Sequence, residues 1–262
     1  MRRAIGQFLR IDVSPHAVSV QRASNWNRWS RSGSPVVLAS QAIAPSAEHP
    51  VDAIANALRA LLGELDVSGW PASFALADEL TRTWRVTPPA GAARMADLEA
   101  AAALRFQSLF GEAPTAWQLS ADWDAVQPFF AAAMPRALLA ALQLVAQDGK
   151  LSIVAIEPRF IGAWNRSRRS VKPGAWFGHV HDNLLTLGAA EADGKSLRAI
   201  RPLPLPRDAD HQWLTQTLQR EALLLDMEAP MLLQVDGDAP AAWRAPPANA
   251  AQIPCSVLAG SA

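Results

Sequence analysis

Residues 8–22, FLRIDVSPHAVSVQR, constrain the fold more than any other stretch of the chain. Leu9, Ile11 and Val13 alternate with polar residues, and Val18 and Val20 alternate again beyond Ser14-Pro15-His16. That pattern predicts two short strands joined by a turn, with the acid Asp12 at the end of the first. A third strand is expected over 36–43. Pro50 then opens a helix in which Val51, Ile54, Ala55, Leu58, Leu61, Leu62 and Leu65 recur at helical spacing until Gly69. Strand signal returns at 72–77 and at 81–87, so the order is three strands, a helix, then another strand.

The same order returns later in the chain. Between the two copies the sequence predicts a helix over 96–110, with Asp97 and Glu99 in its first turn and Gly111 as its stop. Short strands follow near 116–119 and 128–133. Pro135 opens a further helix carrying Leu138, Leu139, Leu142 and Val145 inward, and a strand follows over 151–156. After a basic linker over 165–172, strands are expected at 175–180 and 184–189 around His181-Asp182-Asn183, and at 196–201. The segment RPLPLP is suited to a sheet edge. A helix from Asp210 carries Trp213, Leu214, Leu218, Ala222 and Leu225, and a strand over 231–235 completes the unit. The Pro- and Ala-rich remainder holds at most one short strand, over 253–258. The expectation is an α/β protein of two units. The first spans 1–165 with an insert at about 88–150, and the smaller second spans 166–262.

Composition narrows the function classes. The 262 residues carry 24 Lys and Arg against 24 Asp and Glu, a neutral balance that argues against a general nucleic-acid binder. The single cysteine, Cys255, forms neither an internal disulfide nor a thiolate metal site, which fits a reducing compartment. Arg10 and Asp12 interrupt any signal-peptide core, and Pro135 and Arg136 break the longest apolar run, which falls short of the roughly 18 residues of a membrane span. A soluble, cytoplasmic protein is expected.

Several residues invite chemistry. Asp12 and Asp78 end strands that would be neighbours, where nucleases place metal-binding acids, yet without a third ligand they read better as turn and cap residues. His179 and His181 share a strand face but lack further ligands, and read as a solvated or edge pair. No G-x-S-x-G elbow is present and Cys255 has no nearby partner histidine. No catalytic and no metal residues are therefore assigned. Arg166, Arg168, Arg169 and Lys172, and the loop with Trp26, Arg28, Trp29 and Arg31, read as solvated charge and packed aromatics. The chain has ten Trp and no Tyr, and Trp84, Trp117 and Trp123 are candidate partner-binding residues.

Three segments carry a resemblance: FLRIDVSPHAVSV, FALADELTRTWRVTPP and MPRALLAALQLVAQDGKLSIVAIEPRFIGAWNR. Their order resembles the actin-like (ribonuclease-H-like) proteins, and the placement of the insert is similar to the PilM type of pilus assembly and the cytoplasmic part of the GspL type of type II secretion. The resemblance implies duplicated strand–helix units with mixed sheets flanked by helices. It also implies a nucleotide cleft, in which Asp12 and Ser14 would be the cofactor-binding residues if ATP and Mg²⁺ bind. Nucleotide-binding members resemble one another in an Asp-x-Gly-Ser/Thr turn at both hairpins. Here the first turn has Pro15 and no glycine, the second strand reads Gly178-His179-Val180-His181 without an acid, and the late glycine-rich turn is reduced to Asp236-Gly237-Asp238. These departures imply a scaffold that needs no cofactor, with an active Mg-ATPase or a metal-dependent nuclease as alternatives. The implied partner is the short cytoplasmic tail of a single-span inner-membrane protein, which gives indirect membrane association. No nucleic-acid partner is implied, and oligomerisation is left open.

Overall fold

The structure is a computed structural model that describes residues 6–24, 36–44 and 50–258. The chain divides into two compact units, Met1–Arg159 and Phe160–Ala262. In the first, β1 (Gln7–Val13), β2 (Ala17–Ser24) and β3 (Val36–Ala42) form an antiparallel meander, followed by α1 (Pro50–Gly63) and β4 (Pro71–Leu76). The sheet order is β3-β2-β1-β4-β8, where β8 spans Ser152–Pro158, and β1, β4 and β8 run parallel. The alternation that predicts the hairpin is also what builds the core. Leu9, Ile11, Val13, Val18 and Val20 are buried with Phe74 and Leu76 of β4 beneath the apolar stripe of α1, Ile54, Leu58, Leu61 and Leu62.

Within this unit a three-stranded antiparallel sheet, β5-β7-β6, has its own core. It comprises β5 (Arg82–Val86), β6 (Trp117–Ala121) and β7 (Phe129–Pro135), with α2 (Met95–Phe110) on one face. The start of α2 is closed by the Asp97 carboxylate, which accepts from the backbone N–H of Arg94 at 3.1 Å, and its end by Gly111 at φ 68°. The small sheet begins at Arg82, ahead of the expected insert. Conversely, α3 (Arg136–Asp148) places Leu138, Leu142, Val145 and Ala146 in the core of the main sheet.

The second unit repeats the plan. It contains α4 (Arg159–Ser167, from Phe160 onward), β9 (Ala175–His181), β10 (Leu184–Ala190), β11 (Leu197–Pro204), α5 (His211–Leu224), β12 (Leu232–Gly237), α6 (Ala241–Arg244) and β13 (Cys255–Val257). Its sheet order, β11-β10-β9-β12-β13, is that of the first sheet position for position. Phe160 and Trp164 of α4 stack on Phe177 of β9 with ring centroids 5.6 and 5.5 Å apart. Gly188 of β10 admits the Phe160 ring, because a Cβ there would lie 2.7 Å from it. The Pro- and Ala-rich region is more ordered than composition suggests: Trp243 of α6 is fully buried, stacks on Trp213, and donates its indole N–H to the Asp210 carbonyl at 3.2 Å. No helix among the described residues is long and apolar enough to cross a membrane.

Candidate functional site

In each sheet the chain leaves the central strand toward one edge and returns to its other side, which creates a switch point between β1 and β4 and another between β9 and β12. Open α/β sheets bind ligands beyond the carboxyl ends of strands at such points. Asp12 lies at the first switch point, opposite Ala75 of β4 and Ser19 of β2. It is a strand residue whose carboxylate is fully engaged, and not a turn residue. Its Oδ1 accepts from Arg10 Nε at 3.2 Å and lies 3.4 Å from Arg159 Nη2, and its Oδ2 accepts from Gln21 Nε2 at 2.9 Å. Arg159 is only 4% exposed. Two guanidinium groups and an amide thus occupy both oxygens.

Ser14 closes the turn on itself. It is 2% exposed, its hydroxyl donates to the Ala17 carbonyl at 3.0 Å, and the same oxygen accepts the amides of Ala17 at 3.0 Å and His16 at 3.3 Å. The amide of Ser14 itself donates to Ala17 at 2.9 Å, and Pro15 has no N–H. The amides a phosphate would use are therefore committed within the turn. Asp78 begins a short 3₁₀ turn, Asp78–Leu80, after β4.

The second switch point carries its acid on the neighbouring strand. His179 of β9 stands opposite Asp236 of β12, and its Nδ1–H donates to Asp236 Oδ2 at 3.0 Å. Arg166 Nη2 of α4 lies 3.8 Å from the same oxygen. His179 is 6% exposed on a central strand, which corrects the expectation of a solvated or edge pair; the sequence alone does not reveal that β12 covers that side. His181, at the strand end, is half-buried and lies 3.2 Å from Asp182. The following turn is tight. Gly237 has φ 94°, and a Cβ on it would collide with the Val180 carbonyl oxygen, which accepts the amide of Asp238 at 3.0 Å. Among the described residues no three His, Cys, Asp or Glu side chains come together in a way that could hold a metal.

Of the predicted partner-binding residues, Trp84 and Trp117 are 4% and 7% exposed in the core beneath α2, where Trp84 and Trp117 each pack on Phe106. They offer a partner little surface. Trp123 lies at the rim of that core, against Phe129. The loop bearing Trp26, Arg28, Trp29 and Arg31 lies outside the described residues. Burial pushes the Cys255 thiol up to about 12, so it is not a nucleophile near neutrality.

No protein-family model matches the chain, and no curated protein matches it. Solved structures do. A PilM–PilN type IV pilus biogenesis complex superimposes with a TM-score of 0.59 at 14% identity, over 88% of this chain and 81% of that one. A Bacteroides thetaiotaomicron protein with an actin-like ATPase fold gives 0.58 at 10% identity, over 89% and 83%. The chain has the actin-like fold. The cytoplasmic domain of EpsL, an inner-membrane component of the Vibrio cholerae type II secretion system, also matches, with a TM-score of 0.57 at 13% identity over 89% and 83%. Actin-like architecture accounts for the duplicated sheet order.

Proposed function

We propose that this actin-like chain is a non-catalytic scaffold of a type IV pilus or type II secretion-like machine. It binds the cytoplasmic tail of an inner-membrane partner and so sits on the cytoplasmic face of that membrane. The observation that carries the reading is the state of Asp12. An acid that organises Mg²⁺ and its water needs free oxygen lone pairs and a surrounding that tolerates two further positive charges. Arg10 and Arg159 occupy that ground. Each unit-charge pair at about 4 Å is worth roughly 4 kcal/mol in an effective dielectric near 20, so a divalent cation must overcome both arginines before it gains anything from Asp12. The self-bonded Ser14 turn removes the phosphate cradle as well. The similar structures, an inner-membrane secretion component and a PilM–PilN complex, support the scaffold role and a membrane-protein partner.

Thermal unfolding with and without Mg-ATP tests the first half. No shift is expected, whereas a nucleotide at 100 times its Kd would add about 2.7 kcal/mol and several degrees. A rise of that size overturns the scaffold reading. The second half is tested with a synthetic peptide of the short cytoplasmic N-terminus of a single-span membrane protein encoded beside this chain. Saturable binding is expected, and none at millimolar peptide overturns the partner assignment.

A further inference from the structure

The small sheet is covered on one side only. Strand alternation sends Trp84, Val86, Trp117, Phe129, Ala131 and Ala133 toward α2, where all are buried. The opposite face carries Thr83, Arg85, Gln118, Phe130 and Ala132, each half-buried, and Ser120, which is exposed. At one end of that face Met134 packs on the main core. At the same end Arg136 of α3 donates to the Gln118 side chain at 2.9 Å, while Phe130 and Ala132 belong to neither hydrophobic core.

Two arginines on β5 show how the faces differ. Arg82 stacks over Phe110 and Trp117 at 5.7 and 5.3 Å and lies 3.5 Å from a Glu112 oxygen. Arg85, on the open face, has no carboxylate within ion-pair range among the described residues, and its Nε–H is shielded from water without an acceptor. The two Nη groups of Arg85 are not shielded and have no partner among the described residues, so they can give a carboxylate two parallel hydrogen bonds. Phe130 stands directly opposite Arg85 in the β5–β7 register, so an apolar surface adjoins the cation. β5 is also an edge strand, the position at which an extended segment adds to a sheet.

We infer that Arg85 and Phe130 on the uncovered face of the small sheet recognise an extended peptide segment that pairs a carboxylate side chain with an apolar one. This rests on the scaffold reading and names the chemistry of its partner. Arg136 is engaged with Gln118 and Thr115, so Arg85 is the cation on this face without a partner among the described residues, and in a neutral chain it selects a short acidic segment over a polyanion.

The test uses the whole chain and labelled dodecapeptides in which leucine alternates with glutamate, glutamine or lysine, read by fluorescence anisotropy. The glutamate peptide binds at least about tenfold more tightly than the glutamine one, the ratio expected for a charge-assisted hydrogen bond. Arg85→Gln removes the difference, Arg85→Lys retains part of it, and Arg105→Gln, an exposed arginine on α2, leaves it intact. Equal binding of the glutamate and glutamine peptides, absence of binding by all three, or an unchanged preference in Arg85→Gln overturns the inference. The membrane-protein tail peptide separates the two ideas. Tail binding that is indifferent to Arg85→Gln removes the Arg85 assignment and leaves the scaffold standing. Glutamate selectivity without tail binding removes the tail and keeps Arg85. Circular dichroism of Arg85→Gln should show an unchanged melt, because the native side chain gains no hydrogen bond at Nε.

Discussion

Asp12 and Arg159 form an ion pair in which Nη2 of an arginine only 4% exposed lies 3.4 Å from the Asp12 carboxylate. Under the scaffold reading proposed above, Asp12 serves to neutralise this buried cation. The distinction has a measurable consequence, because a structural acid and a catalytic acid fail differently when removed.

Asp12→Ala leaves Arg159 buried beside Arg10 with neither facing its carboxylate. Breaking a buried pair from one side costs about 3 kcal/mol or more. Urea unfolding should therefore show a midpoint well below wild type with an unchanged m-value. Replacing Arg159 by Met in the same background should recover part of the loss, since the cation that faced Asp12 is then gone. An acid kept for nucleotide chemistry would give the reverse, near-native stability in Asp12→Ala and no rescue by the second change.

How far the sequence carried the fold follows from which forces are local. The alternation of Leu9, Ile11 and Val13 and the helical stripe of Ile54, Leu58 and Leu61 are short-range patterns, and both elements form where those patterns lie. The start of α5 at Asp210 was legible for the same reason: its carboxylate accepts the Trp213 amide at 2.8 Å, three residues on. What was not legible depends on partners far along the chain. His179 reads as an edge residue until β12 brings Asp236 against it, 57 positions later. Trp84 and Trp117 read equally as core or as partner-facing, because aromatic content says nothing about which sheet face a helix will cover. A period of two along TRTWRV could have found Arg85 once Trp84 was assigned to the core. The four-residue helix around Trp243 has too few turns to leave a periodic signal.

Gly237→Ala tests the close approach of the end of β12 to its parallel neighbour β9. The residue sits at φ 94°, and its new Cβ would meet the Val180 carbonyl, which is backbone and can yield only by moving a central strand. The combined strain is expected to cost about 2–3 kcal/mol. Proteolysis should show it first, as faster cleavage within residues 160–258 while fragments of the first unit persist. Equal stability of wild type and variant would mean that the turn has room the structure does not show.

Trp117→Ala separates core from contact. The indole packs on Phe106 at 5.3 Å and under Arg82, and truncating a buried Trp costs about 3–5 kcal/mol. Loss of the small sheet is expected, read as faster amide exchange in residues 82–135 while exchange in β1 and β4 stays slow. Any loss of partner binding should then parallel the loss of structure. Weaker binding with exchange unchanged would return Trp117 to the contact surface.

Cys255 supplies a pH prediction with a definite sign. Burial raises its thiol to about 12, against about 8.5 for an exposed cysteine, because the thiolate is poorly solvated at that site. The unfolded chain therefore releases this proton first as pH rises. Stability from this group is whole below about pH 8.5 and declines from there toward pH 12, as deprotonation of the unfolded state draws the equilibrium toward it. Reactivity follows the same order. At pH 8 about one folded thiol in ten thousand is thiolate, compared with roughly a quarter of unfolded ones. Iodoacetamide should label Cys255 at the rate of unfolding, and Cys255→Ser should flatten the alkaline fall in the urea midpoint. Rapid native-state labelling at pH 8 would place the thiol in water.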